Sequence, residues 1–360
     1  MAPRSENRIL TIGTRLCRIR SLIINPVCTT AQRKMGAQSA PRFHVPAGIT
    51  IIGLGLLWGA GFPAIDVVVS ELPPLGAAGI RYTVSGCIVL GYARATTDRL
   101  WPQTLREFLG ILIVGGFMFG GYQAGLYMGT QHITGAAASV VATMSPVIAA
   151  LVAVPILGES RGIPDVIGFC LGISGVLVLS QPSVGAASLS STALGVGLVF
   201  LGTVLFAVGS VTIQLFDEGL PMEALQGWAM VVGATLLFCG GFLRGEPIPD
   251  VQSLSPVALA SLLYITLIAG AGGYLLYFRL VRQVGATETT LVAYVEPVAA
   301  TLVSVLFLNQ TISTTTVIGF FVIATGFSLV SRATMRQAIA SFRATDSSTH
   351  RDSTVRGGGD

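Results

Sequence analysis

Residues 141–157 read VATMSPVIAALVAVPIL, and residues 292–308 read VAYVEPVAATLVSVLFL. A shift of 151 positions superposes Val141 on Val292, Ala142 on Ala293, Pro146 on Pro297, Val147 on Val298, Ala149 on Ala300, Leu151 on Leu302, Val152 on Val303 and Leu157 on Leu308. The register holds through Ile167/Ile318, Gly168/Gly319, Phe169/Phe320 and Gly175/Gly326. An internal repeat fixes the architecture before any other reading. The earlier part of the chain repeats with a shift of 148: Gly61 falls on Gly209 and Leu72-Pro73 on Leu220-Pro221.

The repeated unit is almost wholly apolar. Hydrophobic residues make up 52% of the chain and charged residues 11%, against about 25% charged in an ordinary soluble domain. A soluble chain of this composition has no polar surface to show water, and 44 glycines suit close helix packing in lipid. The composition therefore points to one integral membrane bundle. Two apolar copies meeting at a central site is a plan that many secondary transporters use. Cys17, Cys28, Cys87, Cys170 and Cys239 form no CxxC, so neither a disulfide framework nor a metal site is expected. His44, His132 and His350 lie outside the apolar runs, and no HExxH is present. The net charge of +4 is no nucleic-acid signature.

A spanning helix needs about 20 mostly apolar residues. Ten runs qualify: 47–69, 74–94, 109–129, 134–157, 163–180, 192–214, 222–243, 256–279, 286–307 and 312–331. With ten spans, Arg4 through Arg42, Arg94, Arg99, Arg106, Arg161, Arg279, Arg282 and the tail arginines fall on one side, and Arg244 on the other. Positive residues stay in the cytoplasm, which places both termini there. Five spans per copy is an odd number, so the second copy is inverted relative to the first. The expected fold is all-α integral membrane, ten helices as two inverted five-helix repeats.

The chain then divides into a basic arm (1–46), a first repeat (47–180), a second repeat (192–331) and a polar tail (332–360) expected to be disordered. The arm has three readings: a disordered cytosolic segment, an over-extended start with Met35 as the first residue, or a transit peptide. The first two put the protein in the cell membrane, and the third in an organelle membrane.

Several motifs carry a resemblance. Leu57-Trp58-Gly59-x-x-Phe62 opens the first span, Tyr122-Gln-Ala-Gly-Leu-Tyr127 closes the third, and the fourth contains Ala136-Ala-Ala-Ser-Val-Val-Ala-Thr-Met-Ser-Pro146-Val147. Leu157-Gly158-Glu159, Ile167-Gly168 and Gly175 follow. Over about residues 47–331 the chain resembles the EamA-type drug/metabolite transporter superfamily. The resemblance implies transport of small metabolites, amino acids and their derivatives among them. Two departures stand out: Asp66 occupies a position where the family often has Lys, and Asn309-Gln310 replaces the Gly158-Glu159 of the first repeat.

An ionisable group inside a span costs about 2.5–3.5 kcal/mol and is a functional hypothesis by default. Glu296 precedes the repeated Pro297, which frees a backbone carbonyl one turn earlier. It is a candidate proton carrier and substrate ligand, or a structural carboxyl. Its repeat counterpart, Ser145, and nearby Thr143 offer hydroxyls to a substrate or to their own helix backbone. Asp66 and Arg81 lie at similar depth on neighbouring spans and are expected to pair as a gate or structural bridge. Arg81 alone has the fork to receive a carboxylate. Trp58, Tyr122 and Tyr294 are candidate substrate-binding aromatics, while Tyr127, Tyr274 and Tyr277 suit packing.

The sequence therefore reads as a secondary transporter, an exporter of a small metabolite working by alternating access, with proton coupling as one option. It is not read as an enzyme, and no cofactor is expected. Its partners are a small-molecule substrate and the lipid bilayer, with no nucleic acid and with room for a homodimer. The rivals are a nucleotide-sugar or phosphate-ester antiporter, which needs more intramembrane cations than Arg81 supplies, and a membrane receptor or lipid-acting membrane enzyme.

Overall fold

Backbone polar groups in lipid must be satisfied within the chain, and a helix does this within one segment. The computed structural model describes residues 47–157, 162–180, 190–215, 219–284, 289 and 291–330. Every regular element among them is helical. The arm 1–46, Glu159, Arg161, Glu288 and the tail 332–360 lie outside the described residues.

The elements are α1 (Ala47–Val69), α2 (Pro74–Thr96), α3 (Leu105–Gly129), α4 (Gly135–Ala142), α5 (Ser145–Leu157), α6 (Ile163–Ser180), α7 (Ser191–Thr212), α8 (Met222–Leu243), α9 (Pro256–Val281), α10 (Val292–Leu308) and α11 (Thr314–Val330). Six segments are long and apolar enough by themselves to cross a membrane: α1, α3, α4 with α5, α7, α8 and α9. Helices α6, α10 and α11 are apolar but shorter. The expected ten spans would add these three and α2, which carries Arg81 and Arg94.

Helix starts follow their local sequence. Thr104 and Glu107 form a reciprocal capping box at α3, and Ser190 and Ser255 cap α7 and α9. Pro73 and Pro221 precede α2 and α8 and offer no capping side chain. At α2 the carboxylate of Glu246 replaces the cap, accepting from the N–H groups of Leu75 (3.1 Å) and Gly76 (3.3 Å). A negative group there also suits the helix dipole.

The repeat maps α1 onto α7, α2 onto α8, α3 onto α9, α4–α5 onto α10 and α6 onto α11, and the packing follows it. Helix α2 packs on its counterpart α8, and α6 on α11. Helix α1 packs on α10 and α9, while α7 packs on α5 and α3. At the α6–α11 crossing a methyl on Gly175 would sit 3.0 Å from the Gly319 carbonyl oxygen, and one on Gly319 would sit 3.2 Å from that of Gly175. Gly168 meets Gly326 in the same way. Since Gly168 is the repeat counterpart of Gly319, and Gly175 of Gly326, these related helices run antiparallel. Only hydrogen at these positions lets the backbones approach so closely.

Two features depart from ten plain helices. The span expected over 134–157 is broken at Thr143–Met144, between α4 and α5. Spans three and eight each contain a π-helical stretch, Val114–Gly121 and Tyr264–Gly272, at repeat-equivalent positions. Such stretches are rare and concentrate at functional sites. Carbonyls of the second one bond side chains from other helices: Thr266 accepts from Ser85 Oγ at 2.7 Å, and Ala269 from Trp58 Nε1 at 3.0 Å.

Candidate functional site

The two π stretches end next to tyrosines, Tyr122 in α3 and Tyr274 in α9. Around them an aromatic chain crosses the bundle. Tyr82 meets Phe119 edge-on at 5.1 Å, Phe119 meets Tyr274 at 5.5 Å, and Tyr274 meets Trp58 at 5.4 Å. Trp58 also contacts Tyr277 at 5.5 Å. Its indole N–H is committed to Ala269, so it fixes α1 against α9 while its face lines the interior.

Arg81 sits at one end of this chain, only 7% exposed. Its guanidinium carbon lies 4.8 Å from the centroid of the Tyr82 ring, and Nη1 donates to the Tyr127 hydroxyl at 3.3 Å. Both tyrosines are fully buried. The Arg81 Nε has no acceptor, and no carboxylate of a described residue lies within ion-pairing distance of the guanidinium.

Glu296 stands on α10 as its fifth residue, immediately before Pro297. Its surface is half-buried, as are those of Tyr122, Tyr274 and Trp58. The Tyr122 ring packs on Phe206 at 5.2 Å. Among the described residues the Glu296 carboxyl has no hydrogen-bond partner. Helix α1 passes directly beneath it, because Gly59 packs against the Glu296 carbonyl and leaves no room for a side chain.

The remaining expected residues take distinct places. Ser145 is half-buried at the start of α5, beyond the break. Thr143 spends its hydroxyl on the Val140 carbonyl at 2.6 Å, the helix-backbone alternative. The Tyr294 ring stacks on Phe327 at 4.2 Å, fastening α10 to α11. An apolar groove of about 530 Å³ between α1, α9 and α10, lined by Leu57, Ala60, Tyr264 and Val303, lies apart from the polar groups. Its one polar side chain, Tyr264, donates its hydroxyl to Leu57 at 2.8 Å.

The expected Asp66–Arg81 pair is not formed. Asp66 instead accepts from the Gly135 N–H at 3.3 Å and from Gln310 Nε2 at 2.9 Å. Shared depth misled because Arg81 turns into the aromatic interior, whereas Asp66 faces the first turn of α4. Tyr82 and the two π stretches escaped the sequence reading. The available signals were a tyrosine adjoining an intramembrane arginine and the glycine-rich runs VGGFMFGG and YITLIAGAG.

The EamA-like transporter family model matches residues 46–181 and again 193–332. The chain belongs to that family. Among its relatives, the uncharacterized transporter YvbV of Bacillus subtilis is 27% identical over 294 residues, covering 80% of this chain and 92% of YvbV. The uncharacterized inner membrane transporter YedA of Escherichia coli is 26% identical, covering 73% of this chain and 83% of YedA. A chloroplastic WAT1-related protein of Arabidopsis thaliana is 25% identical over 73% of this chain, which spans 64% of that relative's length. A crystal structure at 21% identity has a TM-score of 0.56 and covers 81% of this chain and 98% of its own, a likeness of fold. This EamA-family chain is a multi-pass membrane transporter.

Proposed function

We propose that this protein is a secondary transporter of the cell membrane, with both termini cytoplasmic, that exports a small amphipathic metabolite, an amino acid or derivative being the class in view. It works by alternating access, the two repeats rocking about the cavity between Arg81 and Glu296, and does no chemistry on its cargo. The observation that carries this reading is Glu296: a half-buried carboxyl within an apolar helix, immediately before its proline and without a hydrogen-bond partner among the described residues. A carboxyl so placed can exchange a proton with the interior. Its repeat counterpart Ser145 cannot titrate, so the proton-carrying group belongs to one repeat only. Trp58, Tyr122, Ser145 and Tyr294 are proposed to contact the cargo, and Asp66 with Gln310 to latch one end of the bundle.

The exchanged packing of repeat-related helices supports the rocking, because each contact has a counterpart of equal design in the other half. The test is flux in proteoliposomes. A metabolite screen in cells with and without the gene supplies the cargo, and an imposed pH gradient should accelerate its movement several-fold. Flux indifferent to the gradient would remove proton coupling and leave facilitated transport. A lack of flux for every cargo the screen finds would remove the transport reading of the site.

A further inference from the structure

The aromatic interior contains a cation that no described residue neutralises. We propose that the Arg81 guanidinium is the subsite for the carboxylate of a monoanionic substrate whose apolar body lies along Tyr274 and Trp58. This deepens the transport reading and rests on it for the identity of the cavity.

Burying a guanidinium costs several kcal/mol unless it is paired and hydrogen-bonded. Arg81 receives only partial compensation: one neutral phenol at 3.3 Å and one ring face at 4.8 Å. Its Nε–H points at no acceptor. An arginine in a structural role would be saturated, since an unmade bond at such depth is expensive. Here the surroundings position the planar group and leave donors unspent, which is the preorganisation a ligand site needs. Tyr82 holds the plane by cation–π contact, and Tyr127 holds Nη1.

The chemistry of the ligand follows from what else is present. The guanidinium fork matches a planar carboxylate in two parallel hydrogen bonds. A phosphate dianion calls for further cations, and Arg81 is the one Lys or Arg among the buried polar residues. Beyond the guanidinium stand the half-buried rings of Tyr274 and Trp58, 5.4 Å apart, and such rings suit an apolar body.

The test is equilibrium binding to the full-length protein in detergent, by calorimetry, with phenylacetate, its neutral isostere phenylacetamide and inorganic phosphate as probes. The wild type is expected to bind phenylacetate about tenfold more tightly than phenylacetamide, the scale of one charge-assisted pair, and phosphate more weakly than either. Arg81→Gln should bring phenylacetate down to the level of phenylacetamide. Should that variant not fold, Arg81→Lys decides: it keeps the charge and loses the fork, and the discrimination should shrink. The proposal is overturned if the wild type binds both aromatic probes alike or not at all, if phosphate binds best, or if the discrimination survives in the variant that folds. Binding in detergent needs neither turnover nor a gradient. Discrimination without pH-driven flux therefore upholds the subsite and sinks the coupling, and the reverse result sinks the subsite alone.

Discussion

The carboxylate of Asp66 and the side-chain amide of Gln310 are joined by a hydrogen bond of 2.9 Å. One belongs to the first helix of the first repeat. The other follows the fourth helical span of the second repeat, where the first repeat has Glu159. With the Gly135 N–H as a further donor, Asp66 ties α1, α4 and the segment after α10 at one end of the bundle. A hydrogen bond to a charged group contributes about 1.5–3 kcal/mol. Asp66→Ala and Gln310→Ala should therefore each lower thermal stability, and the double variant should lose little more than Asp66→Ala. Asp66→Ala combined with Arg81→Gln should instead be additive to within about 0.5 kcal/mol. Coupling in the second cycle and none in the first would restore the ion pair that the fold does not show.

The α6–α11 crossing is a second place where a single change is decisive. Gly175→Leu must push α11 away, since the first added carbon already lies 3.0 Å from the Gly319 carbonyl oxygen. Overpacking of this kind costs about 1–3 kcal/mol. Gly53→Leu, at a position with open space around it, is the control and should unfold at the wild-type temperature. Equal melting temperatures for both variants in detergent would mean that the crossing is not tightly packed.

The architecture was readable because it rests on composition and period, which survive in any apolar repeat. The glycines that meet at α6–α11 are the same ones that superpose the two copies. The site was less readable. Arg81 and Glu296 announced themselves as charges inside spans, but their partners depend on side-chain direction, which sequence depth does not encode. Asp66 and Arg81 share a depth and point apart. The π stretches left only glycine-rich runs as a signal, because an apolar run otherwise looks the same whether its turns close at four or five residues. Trp58 is a further case: its bond to Ala269 required knowing that the facing helix is widened there.

Acid stability offers a third check, in the connection between α1 and α2. Glu71 accepts from the Ser255 hydroxyl at 2.6 Å and from the Ser255 N–H at 2.8 Å. These bonds hold its carboxyl below the ordinary value of 4.5. A lowered folded-state value means that the contribution is fully present above pH 4.5 and fades as pH falls through the folded value. Thermal melts taken from pH 6 to about 3 should slope downward in the wild type, and Glu71→Gln should flatten part of that slope. The effect is small because the pair is exposed. An unchanged slope would mean that Glu71 and Ser255 are not bonded in solution.

Orientation is testable without a substrate. The Lys and Arg residues place position 185 on the side opposite to position 345. Reporter domains fused after each should give opposite signals, active outside for the first and inside for the second. Matching signals would break the ten-span topology and with it the inverted relation of the repeats.

The last prediction concerns Glu296, where the two halves of the molecule differ most. The proline that follows it is repeated at Pro146, but the residue before that proline is Ser145. The carboxyl touches no described hydrogen-bond partner, so removing its charge unpairs nothing among the described residues. Glu296→Gln should therefore reach the membrane folded, with a melting temperature close to wild type. If the proton moves through this carboxyl, the variant should lose all acceleration of flux by an imposed pH gradient. It should retain exchange of labelled against unlabelled cargo at equal pH, because an uncharged amide imitates the protonated acid. Glu296→Asp, which keeps the acid and retracts it by one methylene, should recover part of the pH response. Full pH-driven flux in Glu296→Gln would assign the proton elsewhere. Weakened exchange with the pH response of the residual flux intact would make Glu296 a substrate ligand only, its neutral replacement raising the KM for cargo.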